Sequence, residues 1–83
     1  MMKIAVISAI LEEPANCQEE FNRLIAEFRG NIRGRMGIPF EGGISVVSIT
    51  LVGELNEINS LTGKLGNIDG VTVKTAIAKR ELE

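Results

Sequence analysis

The stretch Lys3–Leu11, KIAVISAIL, carries apolar residues on both of the alternating faces that a β-strand presents. One face has Ile4, Val6 and Ile10, and the other has Ala5, Ile7 and Leu11. A strand that is apolar on both faces is typical of the centre of a sheet. The stretch Ile44–Val52, ISVVSITLV, has the same character. We therefore expect these two stretches to be the central strands of one sheet.

The segment between these strands begins with an amphipathic helix. Its apolar residues recur at helical spacing and form one stripe: Cys17, Phe21, Leu24, Ile25 and Phe28. Asn16 has the side chain of an N-cap, and Glu19 stands where its capping-box partner is expected. Gly30 is the expected C-terminal stop.

The remaining segments read as two further strands, a turn and a second helix. Asn31–Ile38 alternates and predicts a half-exposed edge strand, with Ile32, Met36 and Ile38 on one face and Arg33 and Arg35 on the other. Pro39–Gly43 predicts the turn into the third strand. Asn56 is the expected cap of a helix that Gly66 ends, and Val71–Lys79 predicts the last strand.

The resulting order β-α-β-β-α-β predicts an α+β fold. It is the ferredoxin-like sandwich, a four-stranded antiparallel sheet with two helices on one face, here as a single domain over residues 1–83. The uncovered face would receive apolar residues from both central strands, and exposed apolar patches mark interfaces. We therefore expect a homo-oligomer, a dimer or tetramer, formed through the open sheet face or through edge strands.

Composition excludes several classes of function. The 83-residue chain has a net charge of −2, so no basic field attracts nucleic acid directly. It has no histidine, tyrosine or tryptophan, and no catalytic set can be assembled, so we expect a non-enzyme without metal or cofactor. The central strands lack the aromatics of an RNA-recognition module. Cys17, the only cysteine, is expected to be a buried packing thiol.

The apolar runs are too short and too interrupted to span a bilayer. The N-terminal residues also lack the pattern of a signal-peptide cleavage site. We therefore expect a cytoplasmic protein that does not associate with membranes.

The stretch Gly34–Gly43, GRMGIPFEGG, is the main candidate site. Gly42 and Gly43 suit a turn with positive φ, and the glycines within the strand suggest a bulge or a close backbone approach. Turn geometry and packing alone account for much of this pattern. If the hairpin is a ligand or subunit contact, its arginines could hold a carboxylate or phosphate on an open sheet face. The candidate contact residues are Arg33, Arg35, Met36, Gly37, Phe40, Gly42, Gly43 and Ser45.

A weaker candidate is Thr62, Gly63 and Lys64 in LTGKLG. The match to a phosphate-binding loop is poor, because this Gly-Lys pair falls near the end of a helix rather than at its start. The competing interpretation is a close helix-packing contact at Gly63.

The segments GRMGIPFEGGISVVSI and LTGKLGNIDGVTVKTAIAK resemble a family of small proteins described as regulators of the iron-only hydrogenase system. That family's regulatory role is inferred from gene neighbourhood. The resemblance implies an ACT-like fold, similar to the regulatory domain of nickel-responsive repressors, and a small regulatory or ligand-sensing role. The alternative is an interaction module that binds no small molecule.

Two departures from related domains narrow what the resemblance implies. The absence of histidine excludes a nickel site of the repressor type. The segment LEEPAN stands where amino-acid-binding ACT domains usually have a glycine, which argues against a site of that type.

Overall fold

The structure, a computed structural model, describes residues 1–82. Its helices and strands follow the predicted order: β1 (Met2–Leu11), α1 (Pro14–Ala26), β2 (Asn31–Pro39), β3 (Ser45–Glu54), α2 (Leu55–Gly66) and β4 (Val71–Leu82). A short 3-10 turn, Glu41–Gly43, lies between β2 and β3. The predicted β-α-β-β-α-β arrangement is confirmed.

The four strands form one antiparallel sheet in the order β2-β3-β1-β4. β1 and β3 pair in unbroken register, from Met2 opposite Glu54 to Leu11 opposite Ser45. The two stretches that are apolar on both faces are therefore the central strands, as predicted. β2 and β4 are the edges.

The core lies between the sheet and the two helices. The odd-numbered residues of β1 and β3 face the helices, and those from Ala5 to Leu11 and from Val47 to Gly53 are buried. The helices contribute their apolar stripes. The largest fully buried side chains are Phe21, Ile7, Ile49, Leu51, Ile58 and Leu65. The opposite face of the sheet keeps large apolar residues exposed, including Ile4, Val6 and Ile10 of the central β1.

A bulge in β2 corrects the predicted faces of that strand. The register with β3 shifts between Ile32, which pairs with Leu51, and Gly34, which pairs with Thr50. Arg33 is the extra residue, so Ile32 falls on the helix side and no longer shares a face with Met36 and Ile38. A bulge was expected from the strand glycines, but its effect on Ile32 was not.

A second irregularity interrupts the pairing of β1 with β4 between Lys3 and Ala5. There the Lys3 ammonium donates to two backbone carbonyls of β4, those of Ala78 at 3.3 Å and Lys79 at 3.0 Å. The lysine side chain thus connects β1 to β4 where their pairing is interrupted.

Both predicted N-caps were wrong. α1 begins at Pro14 with Glu13 as its N-cap residue, and α2 begins at Leu55 with Glu54 as its N-cap residue. Neither helix has a side-chain capping hydrogen bond. Proline at the first position of a helix has no N–H to satisfy, which explains why α1 begins ahead of Asn16.

The predicted stop at Gly30 was also wrong, because α1 ends at Ala26 and Gly30 does not have positive φ. Gly30 is instead needed for space. A Cβ at this position would collide with the Phe28 ring and the Val52 carbonyl oxygen. The Phe28 ring also covers Gly53, where an added Cβ would lie 2.7 Å from it. The second helix ends at Gly66 as predicted.

Candidate functional site

The glycine-rich hairpin lies at the β2 edge of the sheet, and every residue of β2 is exposed. Gly42 and Gly43 have φ of 82° and 83°, which confirms the predicted turn. The Phe40 N–H donates to the Ile44 carbonyl at 2.8 Å and closes the loop. Pro39 belongs to the strand rather than the turn, since it pairs with Ser45. The hairpin is therefore an ordered and accessible projection of the edge.

Arg35 lies on the helix side of the sheet, because it pairs with Ile49, whose side chain is in the core. Its Nη2 donates to Asn22 Oδ1 of α1 at 2.6 Å. Its guanidinium carbon lies 5.8 Å from the centroid of the Phe21 ring. The expectation that Arg35 projects from the open face was wrong, because the pairing register turns it toward α1.

The other hairpin candidates are divided between the two sides of the sheet. Met36 is on the open face and is 59% exposed. Gly37 and Ser45 are at helix-side positions of the register, and Arg33 is the bulge residue. A Cβ at Gly34 or Gly37 would meet nothing within 4 Å, so neither glycine marks a close approach within this chain.

The weaker candidate group lies at the opposite edge of the sheet. The Thr62 hydroxyl donates to the Ile58 carbonyl at 2.9 Å and lies 2.8 Å from the Thr75 hydroxyl of β4. It therefore links α2 to β4. Gly63 is exposed, and a Cβ there would meet nothing within 4 Å, so the expected packing contact at Gly63 was wrong. The structure does not bring this group near the hairpin.

A cavity of about 500 Å³ lies between the C-terminal end of α1 and α2. Leu24, Phe28 and Leu61 contribute its apolar lining, and Arg29, Glu57 and Lys64 are among its charged residues. Lys64 thus faces this helix-layer cavity and not the hairpin. Sequence reasoning missed the cavity because its walls come from segments about 30 residues apart.

Cys17 is buried, and its Sγ lies 3.5 Å from the Glu13 carbonyl oxygen. Burial raises the pKa of the Cys17 thiol, and the negative charges of Glu13 and Glu20 raise it further. A raised pKa keeps the thiol protonated and unreactive. The predicted packing role is confirmed.

Within residues 1–82, no group of three or more Cys, Asp or Glu side chains is placed to hold a metal ion. None of the helices in that range is long and apolar enough to cross a membrane.

Comparisons with known structures place this geometry among ACT-like domains. An uncharacterized protein from Thermotoga maritima is 29% identical, with a TM-score of 0.88, and the match covers 95% of this chain and 100% of that one. The ACT domain of a GTP pyrophosphokinase from Chlorobium tepidum is 23% identical, with a TM-score of 0.78 and coverage of 92% and 100%. The C-terminal domain of MgtC from Mycobacterium tuberculosis shares the fold at 11% identity, with a TM-score of 0.68 and coverage of 98% and 93%.

No curated protein matches the sequence. The TM1266-like family model, described as "Iron-only hydrogenase system regulator, putative", matches residues 3–75. This match spans most of the 83 residues and includes the first segment that carries the resemblance, and the second as far as Thr75. The chain therefore belongs to the TM1266-like family, with an ACT-like fold.

Proposed function

We propose that this protein is a small, non-enzymatic regulatory domain of the cytoplasm that acts as a homo-oligomer and senses a small anionic ligand at the β2 hairpin. The family description supports a role in regulating the iron-only hydrogenase system. The ligand class comes from the residues of the hairpin edge, and Arg35 is the central one.

The observation that carries the ligand proposal is the way Arg35 is held. A guanidinium has five N–H donors, and Asn22 accepts from one of its nitrogens. The Phe21 ring lies beneath it and fixes its position. None of the ion pairs among residues 1–82 involves Arg35. A positioned arginine with donors to spare suits the planar geometry of a carboxylate or the oxygens of a phosphate.

The location of Arg35 suggests how binding would regulate the domain. Arg35 links the edge strand β2 to α1, so an anion bound there contacts an element of each layer. In the oligomer, the hairpin lies at the boundary of the subunit. Ligand that binds one association state better than another shifts the equilibrium between them.

A thermal-shift screen tests the ligand proposal. Phosphate, citrate and glutamate are used as probes at constant ionic strength. We expect at least one to raise the melting temperature of the wild-type protein, and Arg35→Ala to remove that rise. Arg80→Ala is the matched control, because it removes an exposed arginine from β4 at the other edge. A rise that persists in Arg35→Ala would assign the effect to another site.

The alternative function is an interaction module that binds a protein and no small molecule. The observation that favours it is the exposed length of β2, nine residues that could pair with a strand of a partner. A flat ligand screen, together with a partner captured by the wild-type protein and lost when β2 carries a proline, would support the module over the sensor.

A further inference from the structure

The open face of the sheet has a defined pattern across its four strands. Residues that pair across neighbouring strands stand side by side, so the register arranges the side chains in rows. The first row is Ile38, Val46, Ile10 and Thr72; the second is Met36, Ser48, Ser8 and Lys74; the third is Gly34, Thr50, Val6 and Ala76. Beyond the third row stand Val52 and Ile4, which pair with each other.

The rows differ in height. Ile38, Val46 and Ile10 form an apolar ridge, and both isoleucines are 43% exposed. Ser48, Ser8 and Thr50 are short, Gly34 beside Thr50 has no side chain, and Ala76 at the β4 edge has only a methyl group. We call these five residues the trough. Val6 stands between Thr50 and Ala76 and forms, with Ile4 and Val52, a second apolar group that the trough separates from the ridge along β1 and β3. The face thus carries a raised band beside a lowered one.

We propose that a second copy of this chain packs on the open face, so that the ridge of each copy fills the trough of the other. This inference rests on the homo-oligomer of the proposed function and assigns its interface. A two-fold axis that runs across the strands, between the ridge and the trough, exchanges the two bands. One surface patch is then complementary to itself, as an isologous interface requires. The two sheets would pack face to face at about 10 Å, with their strands nearly aligned.

The size of the face suits a stable dimer. A strand of about ten residues rises about 3.3 Å per residue, and neighbouring strands lie about 4.8 Å apart, so four strands give a footprint of roughly 600 Å² per copy. A specific interface needs at least about 500 Å² per partner. The exposed large apolar residues of the face reach beyond the ridge and include Met2, Ile4, Val6, Met36 and Leu82. Lys74 stands at the β4 end of its row, where its ammonium group can remain in water.

Charge argues against the competing interface, in which two β2 edges pair. Antiparallel pairing of Asn31–Pro39 with its own copy at full overlap centres on Arg35 and places it opposite its equivalent. β2 carries Arg33 and Arg35 and no acidic residue. Like charges directly opposite each other destabilise strand pairing. The open face has no such repulsion at its centre.

Isotope-filtered NMR on a mixture of labelled and unlabelled protein tests the interface directly. A chain of 83 residues gives well-resolved spectra as a dimer. We expect intermolecular NOEs from the methyl groups of Ile10 and Val46 to the protons of Ser48 and Thr50. Intermolecular NOEs confined to β2 would overturn the face-to-face interface and leave the homo-oligomer of the proposed function standing. A monomer by light scattering at NMR concentration would overturn both.

Variants give a second, independent readout by analytical ultracentrifugation. Ile10→Lys places a cation in the ridge at an exposed position, so we expect a folded protein whose dimer dissociation constant rises about a hundredfold or more, because the charge would be buried without a partner. Ser60→Lys adds the same charge on the exposed side of α2 and should leave association unchanged. Association that is insensitive to Ile10→Lys would contradict the proposal.

Discussion

Phe28 and the two glycines beneath it form a close packing unit just beyond α1. The three atoms nearest to a Cβ added at Gly53 all belong to the Phe28 ring, whereas a Cβ at Gly30 would also meet the Val52 carbonyl oxygen. We predict that Gly30→Ala and Gly53→Ala each destabilise the protein by about 1–3 kcal/mol through overpacking. Urea denaturation measures both changes.

Phe28→Leu distinguishes the cost of Gly30→Ala from that of Gly53→Ala, because only the collision at Gly53 involves the Phe28 ring alone. In a Phe28→Leu background, Gly53→Ala should lower the free energy of unfolding only slightly, and Gly30→Ala should still lower it by a large part of its original effect. Gly63→Ala is the control substitution. Nothing lies within 4 Å of its added Cβ, and alanine should stabilise the helix by about 0.5–1 kcal/mol. Equal rescue of both glycine variants by Phe28→Leu would show that the carbonyl contact is unimportant.

Cys17 makes the stability of the protein depend on pH in the alkaline range. Its pKa is raised in the native state, first by burial and then by Glu13 and Glu20, so the native protein favours the protonated thiol. This contribution to stability is fully present below the pKa of the unfolded thiol, about 8.5, and is lost as the pH rises from there through the raised native pKa. We predict that wild-type protein loses more stability than Cys17→Ala in this range, by urea denaturation.

Alkylation gives a check on the same residue at one pH. Iodoacetamide should modify Cys17 far more slowly in the native protein than in urea, because the thiolate is the nucleophile. Fast modification of the native protein would contradict the buried, protonated thiol.

Arg35 shows what could not be predicted about the candidate site. The alternation of β2 correctly separated Arg35 from Met36, but no local pattern indicates which face of an edge strand meets the helices. Asn22 and Phe21 precede Arg35 by 13 and 14 residues, and only the folded chain brings them to it. The position of the hairpin in the chain could be predicted, but the contacts of Arg35 with Asn22 and Phe21 could not.

Of the elements, the strands were predicted best. A stretch that is apolar on both alternating faces has few structural interpretations other than a central strand. The predicted strands Lys3–Leu11 and Ile44–Val52 agree with β1 and β3 to within two residues. The predicted starts of the helices were wrong because an asparagine was expected to cap each one. Pro14 instead determines where α1 begins, and β3 passes directly into α2. The effect of the β2 bulge on Ile32 was not predicted, because Ile32 still alternates with its neighbours in sequence.

The start of α2 offers a way to stabilise an element. Glu54 has φ of −67° and ψ of 144°, the extended geometry of an N-cap, but its side chain makes no cap hydrogen bond. Its carboxylate instead pairs with the terminal amino group of Met1 at 2.7 Å, and both groups are exposed. We predict that Glu54→Asp stabilises the protein by about 0.5–1 kcal/mol, because the shorter side chain can accept from the first-turn N–H groups.

Thermal denaturation measures the effect of Glu54→Asp. Glu54→Ala is the control, because it removes the exposed ion pair without adding a cap and should change stability by less than about 1 kcal/mol. A lower melting temperature for Glu54→Asp than for Glu54→Ala would refute the capping argument.

The molecule as a whole is asymmetric, since two helices cover one face of the sheet and leave a patterned apolar face open. The proposed dimer would cover that face, so the stability of the protein should depend on its own concentration. We predict that the melting temperature of the wild-type protein rises with protein concentration, because association stabilises the native state by mass action. Ile10→Lys should melt at a temperature that does not change with concentration.

Substitutions separate the two modes of assembly in the same experiment, whereas a rise in salt alone does not. Association through the apolar face should persist or strengthen as salt rises, since salting-out ions favour apolar burial. Association through β2 would also strengthen with salt, because screening weakens the arginine repulsion, but Arg35→Glu would then change it strongly. A concentration dependence that Ile10→Lys leaves intact and Arg35→Glu alters would assign the assembly to the edge. The expected outcome is the reverse, with the dependence lost in Ile10→Lys and retained in Arg35→Glu.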